Sequence, residues 1–127
     1  MVSFEAFRAV DGTPVYLQII NFIKRGAIAG TIRDGDELPS RRVLSALLGI
    51  NPNTVQKAFH ILEKEHLMES RTGAKSCMTL PPDILDALRR EVLSDELRTM
   101  ARTLRQLGIS KEEALRLIEQ VWEEEAQ

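Results

Sequence analysis

The sequence predicts a mainly α-helical fold, and three observations carry that reading. The stretch from Leu38 to Ala58, LPSRRVLSALLGINPNTVQKA, holds two short helical patterns separated by a glycine break. Ahead of it, Tyr16, Ile19, Ile20, Ile23 and Ala27 recur at helical spacing. Behind it, Leu93, Leu97, Met100, Leu104 and Leu107 step by four, three, four and three, the spacing of a heptad seam.

Taken in order, Met1 to Gly12 form a lead-in. Phe4 and Phe7 share one side of a turn there and are suited to pack on the body or on a partner subunit. Thr13-Pro14 reads as a cap followed by a first helical residue, and Lys24 and Arg25 suit the dipole at the far end of that helix. Gly26 and Gly30 weaken its last turn. Asp34-Gly35 marks a turn. Ser40 is placed to cap the next helix, where Val43, Leu44, Leu47 and Leu48 make an apolar stripe. Gly49 ends it, because a positive φ costs glycine little. Asn51 caps a second helix with Pro52 at its first position. Val55, Ala58, Phe59 and Leu62 face inward from that helix, leaving Asn53, Thr54, Gln56 and Lys57 to solvent. A short helix, a tight turn and a polar-faced second helix make a helix-turn-helix, whose second helix enters the DNA major groove.

The same block carries Arg41, Arg42 and Lys57 and no acid between Leu38 and Leu62, which suits a polyanion. The overall charge of −2 hides an asymmetry. Through Leu80 there are ten basic and eight acidic residues; from Pro81 onward there are seven and eleven. A basic front half and an acidic rear half imply salt-sensitive binding of nucleic acid by the front.

The run LPSRRVLSALLGINPNTVQKAFHILEKEHLMESRTGAKSCM resembles the N-terminal winged-helix domain of the GntR family of bacterial transcription regulators. Leu38, Pro39, Ser40, Arg42, Leu44, Thr54, Val55, Ala58, Leu62 and Leu67 fit the family pattern. With PVYLQI ahead and a tail of under fifty residues, the chain looks most like the short-tailed YtrA subfamily. The resemblance implies a winged helix-turn-helix over residues 1–80, followed by a two-helix dimerisation module over 81–127. It makes Met68 to Thr79 a β-hairpin wing and has Ile32 begin a small strand. The chain departs from the family in places: His66 stands for a turn glycine, Lys75 for a second wing glycine, Pro52 for an arginine and Gln56 for a basic residue.

Pro81-Pro82 marks the boundary, with Asp83 as a cap for the next helix and Ile84, Leu85 and Leu88 extending its apolar face. Gly108 ends the seam, Ser110 to Glu113 read as a capping box, and Leu115, Ile118, Val121 and Trp122 stripe a last helix. Two such stripes either fold back on each other and the front domain or pair with a second copy; pairing is favoured on so small a module.

The expected function is a sequence-specific DNA-binding transcription regulator, a dimeric repressor on an inverted-repeat operator. The alternative is a winged-helix protein-interaction module. Candidate DNA-binding residues are Ser40, Arg41, Arg42, Asn51, Asn53, Thr54, Gln56, Lys57, Arg71, Thr72, Gly73 and Lys75. Amides can pair with adenine, and threonine can hydrogen-bond or meet a thymine methyl. The resemblance makes Arg42 the foremost DNA contact from the first helix, while Arg41, Lys57 and Lys75 are placed to hold phosphates. Candidate dimerisation residues are Leu93, Leu97, Met100, Leu104, Leu107, Ile118 and Trp122. No nucleophile–base pair, glycine-rich phosphate loop or metal set stands out, so neither enzyme nor cofactor is expected. Cys77 is alone and reads as strand packing. No run of about 18 apolar residues and no signal peptide is evident, which fits a bacterial cytoplasm. The tail is too short to enclose a conventional ligand pocket, so a small-molecule effector would have to sit between domains or subunits.

Overall fold

The computed structural model describes residues 1–71 and 75–126. In chain order the elements are α1 (Val15–Ala29), β1 (Glu37–Leu38), α2 (Arg41–Leu48), α3 (Pro52–Lys64), β2 (Met68–Arg71), β3 (Lys75–Met78), α4 (Pro82–Gln106) and α5 (Lys111–Glu125). The strands form an antiparallel sheet in the order β1-β3-β2, with Glu37 opposite Cys77 and Met68 opposite Met78. The chain divides into two compact units, Met1–Arg89 and Arg90–Gln127.

The core of the first unit gathers the inward faces of three helices and the sheet. Ile19 and Ile23 of α1, Leu44 of α2, Val55, Phe59 and Leu62 of α3, and Met78 of β3 are its fully buried large side chains. Fully burying one such side chain is worth about 1.5–3 kcal/mol, so these positions dominate the stability of the unit. Cys77 is buried in the sheet, as strand packing requires. The N-terminal Phe4 and Phe7 resolve onto the body of the chain. Both rings are buried and meet Phe22, at centroid distances of 5.2 and 5.5 Å.

Several local expectations are corrected by the structure. α1 starts after Pro14, with no side-chain cap from Thr13. Instead the Gln18 amide donates to the Thr13 and Val10 carbonyls and accepts from the Val10 N–H, tying the lead-in to the helix. Ile32 begins no strand. Its N–H is spent on the Gly26 carbonyl, closing the end of α1, and the strand forms later at Glu37–Leu38. α4 already includes Pro82, whose missing N–H is harmless at a helix start. Asp83 therefore lies inside the first turn, where its charge suits the helix dipole, rather than at the cap. In α2 only Leu44 of the apolar stripe is fully buried; Val43 is 50% and Leu47 68% exposed.

In the second unit, the described part of α5 buries no residue. Ser110 accepts from the Glu113 N–H at 3.2 Å and caps it. Leu97, Met100 and Leu104 of α4 and Leu117, Ile118, Val121 and Trp122 of α5 line an open apolar groove of about 780 Å³.

Candidate nucleic-acid interface

The helix-turn-helix is built by local caps. Ser40 Oγ accepts from the Val43 N–H at 3.2 Å and starts α2. Gly49, at φ 66°, ends it in the left-handed region. The buried Ser45 hydroxyl donates to the Ile50 carbonyl, which satisfies a polar group inside the turn. Asn51 Oδ1 accepts from the Asn53 N–H at 2.8 Å and starts α3, with Pro52 at its first turn. Ser40 and Asn51, both expected to approach DNA, thus have their side-chain oxygens committed to capping.

Once α3 buries Val55, Ala58, Phe59 and Leu62, its remaining face is fixed. Asn53, Gln56, Lys57 and His60 are exposed and Thr54 is half-buried. Arg42, in α2, is exposed and makes no ion pair among the described residues. Lys57 is anchored sideways: its Nζ lies 4.0 Å from the centre of the Tyr16 ring.

The cationic surface is more compensated than the acid-free block implies, because the fold returns acids to it from outside. Arg41 Nη2 lies 3.4 Å from Glu63 Oε1, and its Cζ lies over the Phe59 ring, 5.6 Å from the ring centre. The same Glu63 oxygen accepts from Ser70 Oγ at 2.7 Å, so one carboxylate joins α2, α3 and β2. At the sheet, Arg71 Nε is 3.8 Å from Glu69 and Lys75 Nζ is 4.0 Å from Glu37. These last two pairs are largely exposed and hold their cations weakly, by about 0–1 kcal/mol. Thr72 and Gly73, expected at the wing tip, lie outside the described residues.

Glu63 and Tyr16 were absent from the sequence-based site. The side chains that Glu63 binds come from different elements, and nothing in its local pattern signals them. His66, by contrast, behaves as its place in the motif implies: it has φ 63°, alone among the described non-glycine residues in the left-handed region.

A capped helix-turn-helix with an outward polar helix, flanked by a small antiparallel sheet, defines a winged-helix DNA-binding protein. The comparisons with known proteins are specific. The chain belongs to the gntR family of bacterial regulatory proteins, whose family model matches residues 15–75. It is 30% identical over 102 residues to the uncharacterized HTH-type transcriptional regulator YhcF of Bacillus subtilis, covering 80% of this chain and 84% of that protein. It is 44% identical over 63 residues to the HTH-type transcriptional repressor YtrA of the same species, covering 50% of this chain and 48% of that one. A solved GntR family transcriptional regulator from Listeria monocytogenes superposes with a TM-score of 0.82 at 27% identity, covering 88% of this chain and 98% of the other. The chain is thus a YtrA-like GntR regulator, a DNA-binding protein rather than an enzyme. No described helix is long and apolar enough to cross a membrane.

Proposed function

We propose that this chain is a homodimeric, sequence-specific repressor that binds an inverted-repeat operator. The observation that carries the reading is the outward face of α3: a polar, cap-fixed helix, joined by a tight turn to α2 with its exposed Arg42. Asn53, Gln56 and Thr54 are the candidates for reading base edges, with amides suited to adenine. Arg42 is the foremost DNA contact from α2, and Lys57, Arg71 and Lys75 serve phosphates. The repressor assignment draws support from the relative named a transcriptional repressor.

Dimerisation is assigned to the second unit. Leu93, Leu97, Met100, Leu107, Ile118 and Trp122 are exposed and Leu104 is half-exposed, an apolar surface that a lone copy leaves in water. Such a face on a small helical module favours association with a copy of itself. Two copies then present two α3 helices to half-sites about one helical turn apart.

A gel shift on the DNA upstream of the protein's own coding sequence, run against a scrambled duplex over a salt series, tests this. Selective binding that weakens steeply with salt is expected. Equal, feeble binding to both duplexes at every salt concentration would favour a winged-helix protein-interaction module instead.

A further inference from the structure

We propose that Glu63 is a specificity-tuning residue that withholds Arg41 from the DNA backbone and so limits how many phosphates each protomer neutralises. The inference rests on the DNA-binding reading above and goes beyond it, since it assigns a role to an acid that binds no DNA itself. Arg41 is the first residue of α2 and the direct neighbour of the exposed Arg42. A cation there would ordinarily turn outward to a phosphate. Instead its guanidinium is held by two contacts. Nη2 is 3.4 Å from Glu63 Oε1 and Cζ lies over the Phe59 ring, 5.6 Å from its centre, while Nε is buried without a hydrogen-bond partner. Glu63 is itself fixed by the Ser70 hydroxyl at 2.7 Å. Both charged side chains are about two-thirds covered, with 32% and 30% exposed, so the pair is partly shielded from competing anions.

Phosphate contacts add affinity that carries no sequence information. Each neutralised phosphate also steepens the fall of log affinity with log salt by about 0.9. A carboxylate that occupies Arg41 therefore keeps one cation per protomer out of the sequence-independent term, leaving a larger share of binding to the face of α3.

The test is a salt titration of binding to a random-sequence duplex and to the upstream duplex, with the full chain and its variants. Glu63→Gln keeps the shape of the side chain and can still accept from Ser70. It is expected to steepen the salt dependence by about 0.9 per protomer and to raise low-salt affinity for the random duplex by up to roughly tenfold. Glu63→Gln with Arg41→Met is expected to return the slope to that of the wild type. Should the amide not fold, Glu63→Met keeps the packed stem without the charge and carries the same expectation. An unchanged slope in a folded Glu63 variant overturns the proposal while leaving the DNA-binding reading intact. A gain that survives the loss of Arg41 also overturns it, because Glu63 would then merely repel DNA. A wild-type protein that binds neither duplex overturns this proposal and the DNA-binding reading together.

Discussion

Lys57 Nζ sits 4.0 Å from the centre of the Tyr16 ring, so a cation of α3 is steadied by an aromatic residue of α1. A contact of this kind at a partly exposed site is worth about 0.5–1 kcal/mol. Tyr16→Leu keeps most of the apolar surface and removes the ring face. It is expected to lower thermal stability by that small amount and to weaken DNA binding by less than about tenfold, since Lys57 must then be ordered on contact. A melt combined with a fluorescence titration checks both. An affinity loss far larger than tenfold would show that Tyr16 touches DNA itself.

Gly26 lies near the end of α1, where an added Cβ would stand 2.6 Å from Ile32 Cδ1 and 2.9 Å from its Cγ1. Ile32 is buried and its N–H closes the end of the helix on the Gly26 carbonyl. Gly26→Ala gains about 1 kcal/mol of helix propensity but overpacks this contact at a cost of about 1–3 kcal/mol. A net loss in denaturant stability is expected; a gain would mean that Ile32 yields freely.

His66 occupies φ 63°, and its side chain is exposed. The left-handed region costs an ordinary residue about 1–2 kcal/mol relative to the right-handed one. His66→Gly is expected to be neutral or stabilising by up to about 1 kcal/mol, once the greater unfolded freedom of glycine is deducted. His66→Val is expected to be the least stable of the three, because a β-branched residue tolerates that conformation worst. Equal midpoints for all three proteins would show that the turn relaxes to another backbone shape.

Arg42→Ala removes an exposed cation that makes no ion pair among the described residues. Stability should stay within about 0.5 kcal/mol. Operator affinity should fall by about 1–3 kcal/mol, the usual worth of a specific arginine contact. Sedimentation should be unchanged. Undiminished affinity would relocate the α2 contact.

Leu97→Asp with Leu104→Asp places two charges in the apolar groove between α4 and α5. Monomers are expected by sedimentation. Affinity for a two-half-site duplex should drop by about 10²–10⁴-fold, the advantage that linkage confers. A sedimentation profile like that of the wild type would refute the assigned seam.

Much of this architecture is legible in the sequence because its signals are local. Ser40, Gly49, Asn51 and Pro52 punctuate α2 and α3 by chemistry acting within a few residues. The buried stripe of α3 follows from its period. What escapes is set by tertiary pairing. The two-residue β1 exists because Glu37 and Leu38 meet Cys77 and Ser76, far along the chain, whereas the family resemblance places the strand at Ile32. Val43 and Leu47 have the right period for a core but look outward, because a periodic stripe does not say how much of itself will be covered. The acid-free block looked uncompensated for a related reason: Glu63 lies just beyond its end, yet it folds back on Arg41 at its start.

Selection of bound duplexes from a random pool is the most direct test of whether the outward face of α3 reads DNA sequence as half of a symmetric pair. An enriched inverted repeat with half-site centres about one helical turn apart is the expected result. A pool that shows no enrichment, or a single unpaired half-site, would contradict it.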